Sequence, residues 1–434
     1  MILRDRAVGG LVLSELVSTF GTRLTIVGLP WFVLATTGSA ARMGFVLAAG
    51  VLPVALLGAP SGAAVRRVGA RRMLLASDLA RAPLVALVPA LHAAGALSFP
   101  LLLAIVFLVG GSGAPYFASK RLLLAETLGS HDRRVAQANS AVEGANRISA
   151  LLGPVTAGFL IATFGASSVL WLDAASYVAS FALVAAFVPQ RQPAAPDADP
   201  RGGLRAALRF LARDRAFGGM ALSLVMFGAF WPVLFASLPV LAYRHGHDPK
   251  LAGYLFALWG AGTSLGSALA FVLARRTASI ALGRVAMIGE ALPLLALAAT
   301  DSPWGVGAVL LLSGIFIPLL NAPVMTMFSL RTPVAIRAHV LTTVTTAEEL
   351  VGPLVLAAAG PAMQTFGLRP TYVFVAAGAA ATAAVFLAAT RPRALRTHVR
   401  PVEWPCEWQP TSSLSTAPAS TTSRTSPSGC RGTA

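Results

Sequence analysis

Cysteine and lysine are almost missing from this chain, and acidic residues are scarce. The two cysteines, Cys406 and Cys430, both sit near the C-terminus, so no covalent framework can hold the fold. Lys120 and Lys250 are the two lysines, and neither ends a Gly-x-x-x-x-Gly-Lys loop, which argues against ATP drive. The six histidines give no His-Glu-x-x-His pair, and there is no Gly-x-Ser-x-Gly elbow, so an enzyme has no candidate centre. No cofactor and no metal are expected. Charged residues make up 12% of the 434 positions and hydrophobic ones 56%, a balance that a soluble domain of this length does not tolerate. A net charge of +17 could point to nucleic acid, but such binding needs the basic residues on one exposed face. Here they are dealt out in small groups, and no nucleic-acid partner is expected.

What the chain does have is apolar length. Stretches of about 20 apolar residues, each enough to cross a ~30 Å hydrocarbon core as a helix, run from Val8 to Thr390. Twelve spans are expected: 8–34, 43–64, 73–94, 98–118, 138–163, 167–188, 217–242, 251–273, 280–299, 303–327, 340–364 and 371–390. The first is too long for a signal-peptide core and lacks a small-x-small cleavage site, so it is read as a retained span. Arginine gathers on alternate gaps. One side holds Arg4 and Arg6, the Arg66–Arg72 group, Lys120 to Arg134, the Arg191–Arg215 group, Arg275 to Arg284, Arg331 and Arg337, and the tail arginines. The other holds Arg42, Arg244, Lys250 and Arg369. Positive charge resists translocation, so a multi-pass inner-membrane protein with both termini in the cytoplasm is expected.

The organisation reads as an all-α polytopic membrane protein. Its parts are an N-terminal six-helix bundle (1–188), a cytoplasmic linker with an amphipathic helix (189–215), a C-terminal six-helix bundle (216–390) and a disordered cytoplasmic tail (391–434). The linker helix places Leu204, Ala207, Leu208 and Leu211 on one face and Arg205, Arg209 and Arg213 on the other, as an interfacial helix does. The halves look duplicated. Gly44, Ala48 and Gly58-x-x-x-Gly62 of span two match Gly253, Ala257 and Gly262-x-x-x-Gly266 of span eight. Gly153-Pro154 with Phe164-Gly165 matches Gly352-Pro353 with Phe366-Gly367. Duplicated halves are how many secondary transporters place a site at the bilayer midplane.

The loop from Gly58 to Arg72 resembles the signature loop of the major facilitator superfamily, with Gly62, Arg67, Gly69 and Arg71 at matching positions. Gly153-Pro154-x-x-Ala157-Gly158 is similar to the antiporter motif of that superfamily's drug-efflux branches. Ser18-x-x-Gly21-x-Arg23-Leu24, Leu29-Pro30-Trp31, Asp78-Leu-x-Arg81 and Ala138-Asn139-Ser140 resemble the enterobactin-exporter-like and macrolide-efflux-like group. The resemblance implies twelve helices in two bundles, a small-molecule substrate, protons as coupling ion, the lipid bilayer as surroundings, and a monomer. It also implies that spans two, five, eight and eleven form the contact between halves. Arg66 stands where the family loop carries an acid, so the gate needs a substitute, Asp78 or Asp132. Thr22 replaces an acid found in many relatives.

Charge inside the spans needs a partner or a wet cavity, since an ionised side chain at the bilayer centre costs at least ~2.5–3.5 kcal/mol. Glu15 and Arg23 are about two turns apart and can face one cavity. Glu143 and Arg147 are at i, i+4, either a plain internal ion pair or a gating pair. Asp78 and Arg81 read as structural. Of the adjacent Glu348 and Glu349, one faces the cavity. Asp173 and Glu290 are discounted because their helices are peripheral in the family. Phe20, Phe227, Phe230, Trp231, Phe316 and Met325 are candidate cavity walls. Gly58/Gly62 and Gly262/Gly266 should allow close helix approach. Gly153-Pro154 and Gly352-Pro353 should bend their helices as hinges. The expected function is export of small amphipathic compounds (antibiotic, drug or siderophore) by proton-coupled alternating access, with Glu15 or one of Glu348 and Glu349 carrying the proton. A facilitator-type importer, a lysophospholipid flippase, and more remotely a membrane sensor or scaffold remain alternatives.

Overall fold

A computed structural model describes residues 6–128, 132–190, 200–274, 280–300 and 302–391. The linker 191–199, residue 277 and the tail with Trp404 and Trp408 lie outside them. The first half holds α1 (Arg6–Thr37), α2 (Ala40–Val68), α3 (Ala70–Ala93), α4 (Phe99–Leu128), α5 (Asp132–Phe164) and α6 (Ala166–Phe187). The short α7 (Pro200–Arg213) follows. The second half holds α8 (Arg215–Arg244), α9 (Pro249–Ala274), α10 (Ile280–Leu295), α11 (Pro303–Arg331), α12 (Val334–Phe366) and α13 (Leu368–Ala389), with a 3-10 turn at Ala296–Ala299 after α10. Among the described residues, twelve helical spans are long and apolar enough to cross a membrane, and each covers one of the twelve expected segments or all but its end. Several overshoot it: α5 and α12 have 33 residues each, about 50 Å at 1.5 Å per residue.

Helix is the natural state of these segments because a chain in hydrocarbon must satisfy its backbone internally. Hydroxyls do the same: Thr22 donates back to the Ser18 carbonyl at 2.9 Å, and Ser237 to that of Leu234 at 2.6 Å. Large apolar side chains such as Phe271, Leu354 and Phe164 stay exposed on the outside, as lipid contact requires. Turns are short and carry specific stops. Ser39 caps α2 by accepting from Arg42 N at 3.2 Å, and Asp214 caps α8 through Ala216 N and Phe217 N. Gly165 and Gly367 occupy matching corners, α5 to α6 and α12 to α13, with φ of 79° and 85°. A side chain is strained in that region, so the repeated Phe-Gly is a backbone requirement in both halves.

We call the end where α1 starts proximal and the end where it stops distal. Within the halves, α1 packs on α5 and α6, α2 on α4, α8 on α12 and α13, and α9 on α11. Between halves, α2 lies on α12 and α5 on α9, the four spans the resemblance implies. These two contacts are repeat counterparts of each other. Gly44 meets the backbone of Leu356 and Gly360; Gly253 meets that of Pro154 and Gly158. Gly262 and Gly266 also sit against backbone, that of Leu311 and Ile315 on α11. Gly58 and Gly62 do not behave as expected. No neighbour lies within 4 Å of a Cβ at Gly58, and at Gly62 only its own helix's Arg66 does. The close approach of α2 to α4 uses Gly50 and Gly110 instead, about two turns from Gly58 toward the distal end.

The linker helix differs from its predicted face. In α7, Ala207 is fully buried and Leu211 partly, while Leu204 and Leu208 remain 49% and 51% exposed. Phe210 stacks obliquely on Phe217 at 5.1 Å between centroids, and α7 packs on α8 and α12. Only one edge of the apolar stripe meets protein, and the other faces outward.

Candidate functional site

A cavity of about 1080 Å³ opens between the helices. On α1 its lining runs from Leu11 to Ile26, about 22 Å of helix. Nearly all of its wall comes from the first half: α1, α4 and α5, with Arg81 of α3 and Tyr177 of α6. Only Trp259 and Thr263 of α9 enter from the second. Of the sequence candidates, Glu15, Arg23, Glu143 and Arg147 line it together.

Charges in the wall are mostly paired. Glu15, 3% exposed, forms an ion pair with Lys120 of α4 and accepts from Thr19 at 2.9 Å. Glu143 meets Arg147 at 2.6 Å, and Arg147 Nη1 approaches the Thr263 carbonyl at 3.5 Å, so α5 reaches across to α9 here. Arg81 donates to Asp78 at 2.8 Å, and its guanidinium lies between the Tyr116 and Tyr177 rings, 3.7 and 4.3 Å from their centroids. Ser180 donates to the other Asp78 oxygen at 2.8 Å. Tyr116 donates to Ser18 at 3.0 Å, and Thr25 donates to Asp173 at 2.6 Å. One buried network therefore joins α1, α3, α4 and α6 behind the cavity. Asp173 was discounted from sequence, yet it is 1% exposed and ties α6 to α1.

Distally the halves touch. Gln364 of α12 accepts from Ser39 Oγ at 2.7 Å and Ala41 N at 3.0 Å, and Trp31 meets Tyr243 edge to face at 5.8 Å. Gly44 and Gly360 close the same level. A charged cavity between helices that span a membrane, with the halves in contact at its distal end, is the geometry of a carrier.

A family model described as the Major Facilitator Superfamily matches residues 11–356. The chain belongs to that superfamily. Among curated proteins, it is 27% identical over 384 residues to the multidrug efflux pump Tap of Mycolicibacterium fortuitum, covering 84% of this chain and 90% of that one. The Tap pump of Mycobacterium tuberculosis (strain CDC 1551 / Oshkosh) is likewise 27% identical over 383 residues, 84% and 89% of the two chains. Among solved structures, the nucleoside transporter NupG superposes with a TM-score of 0.70 at 12% identity, covering 88% of this chain and 98% of its own. An inward-facing, unoccupied bacterial homologue of the lysosomal transporter Spinster gives 0.69 at 16%, covering 92% and 99%. A D-xylose–proton symporter gives 0.68 at 16%, covering 87% and 96%. At these identities the structures share the fold. The protein is a transporter of the superfamily.

The remaining sequence candidates take other places. In the loop that resembles the superfamily's signature, Gly69 turns the chain with φ 95° between α2 and α3. Arg71 donates from Nη2 to the Ala185 carbonyl at 2.9 Å and from Nε to that of Val188, capping the end of α6. Arg66 is half-buried and Arg67 exposed. Asp78 is spent on Arg81 and Ser180, and the Asp132 side chain lies outside the described residues. Phe230 and Trp231 are 0% and 4% exposed, packed with Phe227, Phe235, Phe256 and Trp259 rather than on the cavity. Trp231 donates to Glu290 at 3.2 Å, so Glu290, another discounted residue, is buried in the second half. Glu348 packs against Gly228 of α8, Glu349 is exposed, and neither lines the cavity. Gly153 lets α5 touch Arg23 of α1, and Gly352 sits 3.5 Å from Pro232 by its would-be Cβ; each glycine's proline partner, Pro154 or Pro353, is buried.

Proposed function

We propose that this transporter exports small amphipathic compounds from a bacterial cytoplasm or inner leaflet by proton-coupled alternating access, in the plasma membrane and with both termini inside. The observation that carries the reading is the cavity itself. It is large enough for a drug-sized molecule, mixed in polarity, closed distally, and bears a carboxylate, Glu15, beside a lysine. The arginine asymmetry favours a cytoplasmic proximal end, which fits entry of substrate from inside. The similarity to multidrug efflux pumps of the Tap type supports the same direction. Glu15 serves as proton carrier: protonation cancels its charge, releases Lys120 and loosens the α1–α4 tie.

A panel of antibiotics and siderophores in a pump-deleted host, with and without an uncoupler, tests the reading. Expression should lower accumulation of at least one compound, and the uncoupler should restore it. Raised accumulation would make the protein an importer, and no effect on any compound would favour lipid flipping.

A further inference from the structure

Pairing leaves one cation of the cavity over. Lys120 has Glu15, Arg147 has Glu143 and Arg81 has Asp78. Arg23, at mid-span on α1, has no carboxylate within ion-pair distance among the described residues. Its guanidinium is within electrostatic reach of Arg147 and Glu143, but Glu143 is already closed on Arg147. One carboxylate thus faces two guanidiniums. The position is enforced, because a Cβ at Gly153 would lie 2.5 Å from Cβ of Arg23, so α5 backs the arginine stem. Two further donors nearby lack acceptors among the described residues: Arg147 Nε and Trp259 Nε1, on α5 and α9. Buried donors without acceptors are costly, and an uncompensated charge at this depth costs more. An acceptor that also carries negative charge resolves both.

We infer that Arg23 anchors an acidic group of the transported compound, with Arg147 and Trp259 flanking it. Guanidinium matches carboxylate, phosphate and sulfonate in planar two-point contact, while Ile26, Val109 and Phe117 offer the compound's apolar body a wall. The favoured cargo is an amphiphilic acid or zwitterion. Because Trp259 belongs to the second half, an anchored acid touches both halves, which couples occupancy to their motion. The inference rests on the transport reading above but not on its direction.

The test is equilibrium dialysis of the full-length protein in nanodiscs, without any gradient, against matched pairs: naphthaleneacetate and naphthaleneacetamide, with biphenyl and indole equivalents. The acids should bind about tenfold more tightly than their amides, a charge-assisted contact's worth. Arg23→Gln should bring each pair close to parity, and Arg23→Lys should keep part of the preference. If Arg23→Gln does not fold, the lysine variant decides, an undiminished preference overturning the inference. So does a wild-type protein without acid preference, including one that binds neither probe, or a preference that survives Arg23→Gln. Acid preference without export in the accumulation panel removes export and keeps the anchor. Export of acids and amides alike removes the anchor and keeps export.

Discussion

At the scale of single residues, the cavity is a set of paired charges, one pair between helices (Glu15–Lys120) and two within a single helix (Glu143–Arg147 and Asp78–Arg81). Glu15→Gln removes the proposed proton carrier together with the ion-pair partner of Lys120. Substrate-driven proton flux in proteoliposomes should vanish, and unchanged flux would take Glu15 out of the coupling step. The Asp78–Arg81 pair is a stability element: both groups are at most 5% exposed, and losing one partner strands a buried charge. Asp78→Ala should cost about 3–5 kcal/mol, read as a lower unfolding midpoint in detergent, whereas Asp78→Ala with Arg81→Met should recover much of it. A double variant no better than the single one would contradict this. The Glu143–Arg147 contact was legible in the sequence because helical spacing alone puts i and i+4 side by side. Lys120 as partner of Glu15 was not, since sequence names a residue's span but not which helix faces it. Nor does sequence name the donors that hold Asp173 and Glu290. Their helices are outer ones, yet both carboxylates point inward to donors on Thr25 and Trp231.

At the scale of elements, the halves meet on bare backbone at their glycines. Gly360 meets the Ala40 and Ala41 carbonyls and the Gly44 Cα at 2.8–3.0 Å from a would-be Cβ. No flexible side chain stands there to yield. Gly360→Val should wedge α12 from α2 and reduce disulfide cross-linking between cysteines placed at Ser39 and Gln364, with Cys406 and Cys430 replaced. Undiminished cross-linking would mean that the distal contact does not depend on this glycine pair. Gly153→Ala should drive α5 against Arg23, costing about 1–3 kcal/mol of stability by overpacking; a variant melting with wild type would show that α1 and α5 have slack. The Gly-Pro and Phe-Gly repeats were readable as duplicated elements, and matching φ values at Gly165 and Gly367 show why they recur. The role of Gly58 and Gly62 was misjudged because a four-residue small-x-x-x-small pattern describes a helix face without saying whether another helix lies on it.

At the scale of the whole molecule, twelve spans were visible in the sequence because hydrocarbon thickness fixes their length and arginine placement fixes their order of crossing. The cavity's lopsidedness was not visible. Symmetry in the sequence predicts walls shared equally by the halves, whereas the second half fills its own centre with Phe227, Phe230, Trp231, Phe235 and Trp259. One half presents the charges and the other a packed aromatic block; in the proposed alternating access, the contacts of α2 with α12 and of α5 with α9 are the ones that slide. Spin-label distances measure that motion directly. One pair, Arg42 with Thr365, reports the distal end, and the other, Val68 with Thr345, the proximal end. Shifting the protein from its resting state with substrate and a proton gradient should lengthen the distal distance and shorten the proximal one together. Two distances that stay fixed, or that lengthen together, would contradict a carrier that exposes one cavity to each side in turn.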